Sequence, residues 1–140
     1  YLAKIKGVDE NYQSVVDIDS VIINGSWFEQ KTNQIVTGSG ISNKLSFGVL
    51  DYAKTVNIYV PKPGKGQITS VKNAFKTIST LNVGVFEINE DLNYTYIYAP
   101  IDLAQHLLNY KADQVSDIEF KLTEGADETI VKKKIQSVLG

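Results

Sequence analysis

Five stretches of this chain alternate apolar and polar residues with a period of two, and no other feature limits the fold as tightly. Successive side chains of an extended strand point to opposite faces, so each stretch can bury one face and wet the other. Residues 115–123 give the cleanest case, with Ile118, Phe120 and Leu122 on one side and Asp117, Glu119, Lys121 and Thr123 on the other. Residues 1–7 set Ala3 and Ile5 against Lys4 and Lys6, and residues 55–60 set Val56, Ile58 and Val60 against Thr55, Asn57 and Tyr59. In 81–88, Leu81, Val83 and Val85 alternate with Asn82, Gly84 and Phe86, while 94–99 places Tyr94, Tyr96 and Tyr98 on one side. Each of the five is predicted to be a strand.

Helical spacing appears mainly near the C-terminus. Pro100 suits a first helical position, where its missing N–H leaves nothing unpaired. After it, Ile101, Ala104, Leu107 and Leu108 fall on one stripe, and Asp102, Gln105, His106 and Asn109 fall outside it. A second helix is predicted from Asp127, an N-cap followed by Glu128 at the positive helix end, with Val131, Ile135, Val138 and Leu139 as its buried stripe. A shorter helix over 39–47 would bury Ile41 and Leu45. Helix, strand and helix from residue 100 onward, after a middle of strands and turns, predict an α+β fold. Its parts would be an α/β subdomain from 1–19 and 100–140 and a β-rich subdomain over about 20–99.

Composition narrows the classes further. Hydrophobic residues make up 43% and charged residues 21% of 140 residues, which suits a packed core and excludes a disordered chain. The net charge of −2 gives no electrostatic footprint for nucleic acid. The longest apolar run, residues 96–99, falls far short of the roughly 20 residues a membrane helix needs. Cys is absent, which removes disulfides, thiol nucleophiles and thiolate metal sites. All 14 basic residues are Lys, so the bidentate guanidinium fork is absent too. With no Met, the chain reads as a piece of a longer protein.

No catalytic constellation emerges from the residues, and the chain is read as a non-enzyme with no cofactor and no metal. His106, the sole histidine, pairs only with Asp102 on a polar helix face. Gly38-Ser39-Gly40 lacks the outer glycines of a nucleophile elbow and is read as a turn into a helix. Gly64-Lys65-Gly66 lacks the spacing of a P-loop. Glu87, Glu90 and Asp91 lack the bidentate Glu of an EF-hand loop. Asn24-Gly25-Ser26 and Asn93-Tyr94-Thr95 match the glycosylation sequon, a pattern that chance often produces.

One loop stands apart. Residues 61–67 carry two of the three prolines and two glycines, which end strand pairing, and lysines keep the segment in water. The stretch from Pro61 to about Lys76 reads as a long excursion between two strands, a length commonly reserved for function or disorder.

The order of short motifs is similar to that of the periplasmic core domain of MacB/FtsX-family ABC transporter permeases. The carriers are residues 5–9 (Ile-Lys-Gly-Val-Asp), 35–45, 81–86, 96–108 with Ala104-Gln105, and 115–119 (Val-Ser-Asp-Ile-Glu). The second glycine of one family motif is missing near Phe47 to Asp51, and the glycine of 81–86 stands one place early. The likeness is greatest to the lipoprotein-releasing (Lol-type) branch. It implies a MacB-like fold with a porter-like α/β part and a β-rich part, on the periplasmic side of a bacterial inner membrane. A cytoplasmic ATPase subunit and a partner permease would work through membrane segments outside this stretch. It further implies that a hairpin at the excursion engages a periplasmic lipoprotein chaperone. Pro61, Lys62, Pro63, Gly64, Lys65, Gly66, Gln67, Ile68 and Val71 are then the partner-binding residues. The alternatives are an FtsX-like regulator of a cell-wall hydrolase and a secreted small-molecule-binding or hydrolytic domain.

Overall fold

Hydrogen bonding joins six strands into one mixed sheet in a computed structural model of the chain, which describes residues 1–64 and 70–140, with only the backbone at Val71 and Lys72. In chain order the elements begin with β1 (Lys4–Val8), α1 (Tyr12–Val15), a single 3-10 turn (Asp19–Val21), β2 (Ile22–Gly25) and β3 (Gln34–Gly38). Then come α2 (Ser39–Leu45), β4 (Val56–Pro61), α3 (Val71–Ala74) and β5 (Phe75–Phe86). The chain continues through α4 (Glu90–Thr95), β6 (Tyr96–Pro100), α5 (Ile101–Leu108) and α6 (Glu128–Leu139). The architecture is α+β, as the layering of sequence patterns predicts.

The main path of the sheet runs β1-β6-β3-β5-β2, with β4 joined to β5 off that path. β1 runs parallel to β6, and β3 runs parallel to β5; the β3–β6, β2–β5 and β4–β5 pairs are antiparallel. β5 is twelve residues long and serves two ladders. Its first half, from Phe75 to Thr80, pairs with β4, and its second half pairs with β3 and β2. β3 and β6 occupy the middle, and from Val36 and Ile97 onward both are buried throughout, as strands covered on two faces must be.

Alternation assigns the side chains to two cores. On one face Val36, Phe86 and Tyr98 join Val8, Tyr12, Ile18 and Phe28. Trp27 packs there as well, 4.5 Å from Phe28 and 5.3 Å from Tyr98 between ring centroids. On the opposite face Ile35, Ile97 and Ala99 meet Ile41 of α2 and Leu103 and Leu107 of α5, and Val56, Ile58 and Val60 of β4 close over them. Neighbouring residues of β3 and β6 thus serve opposite cores, which fixes the register of both strands.

A buried polar bridge ties a loop to this frame. Thr37 donates to the Asn82 side-chain oxygen at 3.2 Å, the Asn82 amide donates to the Gly48 carbonyl at 3.0 Å, and the Leu50 N–H donates to the Asn82 carbonyl at 2.8 Å. Each buried polar atom in this bridge is therefore satisfied.

Gly38-Ser39-Gly40 owes its glycines to crowding by α4. A Cβ at Gly38 would stand 2.1 Å from the Asn93 carbonyl oxygen, and one at Gly40 would stand 2.6 Å from the Tyr94 ring. The turn into α2 can pass α4 only with bare backbone.

Several expectations are corrected. The upstream half of β5, Phe75 to Thr80, was hidden by its polar Lys, Thr and Ser residues, so the excursion ends at Ala74 rather than Lys76. Tyr94 belongs to α4, not to the strand of Tyr96 and Tyr98, because Asn89 caps that helix by accepting the Leu92 N–H at 2.9 Å. Leu45 is exposed at the end of α2, whereas Ile41 is buried. On α5 the buried positions are Leu103, Ala104 and Leu107; Leu108 lies past the stripe and is 42% exposed. Pro100 is the last residue of β6 and the N-cap of α5, one place ahead of its expected position.

The largest correction concerns residues 115–123, which form no strand. Alternation makes a segment able to pair, but a strand forms only where a neighbouring edge takes up its N–H and C=O groups. The following helix forms as expected, with Asp127 accepting the Ile130 N–H at 3.1 Å. Its predicted stripe is not buried: Val131 and Ile135 are half-buried, and Val138 is 82% exposed.

Three substitutions test these assignments in urea unfolding. Leu107→Ala, at a site 3% exposed, is expected to cost about 2–5 kcal/mol, and Leu108→Ala about 1 kcal/mol or less. Gly38→Ala is expected to cost about 2 kcal/mol or more, because the Asn93 backbone cannot withdraw without moving α4. Equal costs at Leu107 and Leu108, or a neutral Gly38→Ala, would contradict the packing described.

Candidate functional site

Two features place chemistry-bearing residues at the surface: a ribbon formed by β4 and the first half of β5, and a cleft along the free edge of β1. The ribbon has alternating burial, with Val56, Ile58 and Val60 inward and Asn57, Tyr59 and Pro61 outward. Its ladder runs to the pair Pro61–Phe75, and the Lys62 N–H donates to the Ala74 carbonyl at 2.8 Å just beyond it. Tyr59 and Phe75 meet edge to face across the outer end, 6.5 Å between centroids.

At the tip, Pro61, Lys62, Pro63 and Gly64 are exposed. Lys65, Gly66, Gln67 and Ile68 lie outside the described residues, and Val71 is placed in the backbone of α3. Sequence reasoning missed the residue that anchors the ribbon. Lys76, read as the end of a wet excursion, donates to the His106 carbonyl and, at 3.1 Å, to the Asn109 side-chain oxygen. An ammonium at the last turn of α5 meets the negative end of the helix dipole, and the His106 carbonyl it reaches also accepts the Asn109 N–H at 3.4 Å. The α5 end is a left-handed cap at Asn109, with φ of 61°.

The cleft, of about 1030 Å3, wraps around the outer edge of β1. On one side it meets Tyr12, Tyr96 and Tyr98, on the other Ala104 and Leu108 of α5, and its outer wall is residues 115–119. Lys4 and Lys6 stand on the aromatic side, opposite Tyr96 and Tyr98 in the ladder. The Lys4 ammonium is 5.9 Å from the Tyr96 ring centre and the Lys6 ammonium 5.2 Å from that of Tyr12, both within cation–π range. Lys6 also forms an ion pair with Glu119 across the cleft.

Beneath Lys6 the Tyr12 and Tyr98 hydroxyls lie 3.4 Å apart. Burial raises both phenol groups above the ordinary value of 10.0, Tyr98 the more strongly. The neutral phenols are therefore the folded form at every ordinary pH. The pair forms a packed, hydrogen-bonded floor to the cleft. The sequence signal for this floor was the shared parity of Tyr96 and Tyr98 with the two lysines, visible only once β1 is known to pair with β6.

The remaining candidate residues stay apart. His106 and Asp102 are exposed on α5. Glu90 and Asp91 occupy the first turn of α4, where the positive helix end accounts for them. Asn93 of the second sequon is buried, and its side-chain oxygen accepts the Ile88 N–H at 2.8 Å, which closes it to glycosylation. Among the described residues no group of three or more His, Cys, Asp or Glu side chains could hold a metal ion, and no helix is long and apolar enough to cross a membrane. No protein-family model matches the chain, and no curated protein matches it.

The tyrosine floor sets a pH limit. Unfolded tyrosines ionise near 10.0 while Tyr12 and Tyr98 resist, so this contribution to stability is complete below that pH and is lost as pH rises beyond it. Urea midpoints are expected to hold steady from pH 7 to 9 and fall above about 10, with a shallower fall in Tyr98→Phe. An equally steep fall in the variant would remove Tyr98 from this role.

Proposed function

We propose that this chain is a non-catalytic extracytoplasmic domain of an ABC transporter permease, of the lipoprotein-releasing type, on the periplasmic side of a bacterial inner membrane. It engages a periplasmic partner, a lipoprotein chaperone, through the end of the β4–β5 ribbon. ATP hydrolysis by a cytoplasmic ATPase subunit moves it together with a partner permease. The observation that carries this reading is the ribbon itself: a two-stranded extension off the main path of the sheet, ending in exposed Pro61, Lys62, Pro63 and Gly64. Proline at the ribbon end prevents a further strand from adding, and the lysines favour an acidic partner by steering its approach. The order of motifs from residues 5–9 to 115–119 supports the family reading.

The test replaces residues 62–70 with a short Gly-Ser linker. Because the ladder and the Lys76 anchor lie outside that segment, the melting temperature is expected to stay within about 2 °C of the parent. Capture of a periplasmic lipoprotein chaperone in a pull-down is expected to be lost. Retained capture would remove the docking role, and a collapsed fold would make the segment structural. In the parent gene, membrane helices on both sides of this stretch and a neighbouring ATPase gene are expected.

A further inference from the structure

The free edge of β1 and residues 115–123 complement each other face by face. β1 presents Lys4 and Lys6 on one face and Ile5 on the other, where Ile5 packs toward α5. Residues 115–123 present Asp117 and Glu119 on one face and Ile118, Phe120 and Leu122 on the other. A strand of that pattern laid along β1 would set its acids against the lysines and its apolar side chains over α5. The ion pair between Lys6 and Glu119 already makes one of these contacts.

Within one chain the match stays incomplete. The segment forms the outer wall of the cleft instead of filling it, and Ile118 and Phe120 are both 55% exposed. Its root is held. The Gln105 amide donates to the Ala112 carbonyl at 3.2 Å and to the Gln114 carbonyl at 2.9 Å, and the Lys111 N–H donates to the Gln114 side-chain oxygen at 2.7 Å. Chain fixed to α5 as far as Gln114 holds the next residues at the outer wall of the cleft, where Glu119 reaches Lys6 but, among the described residues, no backbone hydrogen bond joins the segment to β1. Beyond them, among the described residues, α6 has no extensive contact with any other element, and none of its own residues is buried. A second copy is not tethered in this way.

We infer that residues 115–139 form an exchange arm, which pairs as a strand with the β1 edge of a second copy of this chain while that copy's arm pairs with the first. The arrangement is two-fold symmetric, so one complementary surface is used twice. An arm of about 25 residues together with the edge and helix it covers reaches the 20–30 residues per side of a standard stable interface. α6 then follows the strand onto the neighbour and covers Val131, Ile135 and Val138.

Charge reversal distinguishes exchange from closure within one chain. Lys6→Glu alone and Glu119→Lys alone each place like charges at both symmetric contacts, and each is expected to weaken the dimer about tenfold in sedimentation equilibrium. Both residues are partly exposed, and circular dichroism is expected to show each variant folded. Mixed in equal amounts, the two variants form a heterodimer in which each arm meets an opposite charge, and affinity is expected to return to the parent value. A parent chain that stays monomeric up to about 1 mM overturns the proposal. So does a dimer indifferent to either reversal, or a mixture no tighter than the single variants, which would place the contact within one chain or on another face.

Discussion

The hydrogen bonds of β5 pass from one set of partners to another halfway along the strand, and both cores are arranged around that change. Up to Thr80 its neighbour is β4; from Leu81 its neighbours are β3 and β2. The register shifts between Ile35 and Val36 where the second ladder begins, and Gly84 lies close against the Ser26 backbone. A bulge of this kind turns a strand and sharpens its twist. It allows one strand to belong both to the central sheet and to a ribbon extending from it. Asn82 stands at the same place, and its buried amide holds the loop after α2 against the strand.

Strands wet on one face were legible in the sequence, as with Val56, Ile58 and Val60 set against Asn57 and Tyr59. β3 was not, because Ile35 and Val36 are apolar neighbours that enter opposite cores, and a strand covered on two faces shows no period of two. Helix starts were legible where a side chain performs the capping, as at Asp127. The start of β5 was not, because Lys76, Thr77 and Ser79 follow the demands of a ribbon wet on one face and of the α5 carbonyls, not of the core. Leu107 and Leu108 both fit a helical stripe on paper, and only the position of β6 decides which one the sheet covers.

The two surface features were legible to different degrees. Pro61, Lys62, Pro63 and Gly64 advertise a turn through their own backbone chemistry, and the structure places them at an exposed tip. The cleft depends on strands distant in sequence: Lys6 meets Tyr12, Tyr98 and Glu119 only because β1 pairs with β6 at the sheet margin. Residues 115–123 carry the clearest strand pattern in the chain and yet remain unpaired. Local pattern states what a segment can do, and the availability of an edge determines whether it does so.

The hold of Lys76 on the end of α5 also has a mechanical meaning. A pull on the ribbon tip would travel along the β4–β5 ladder and reach Lys76 before it reached the bulge at Gly84. Part of the load would then divert through the ammonium into the carbonyl end of α5, the helix from which residues 109–114 lead toward the wall of the cleft. Tip and cleft, at separate margins of the sheet, thus share a single side chain as a lever shares its fulcrum.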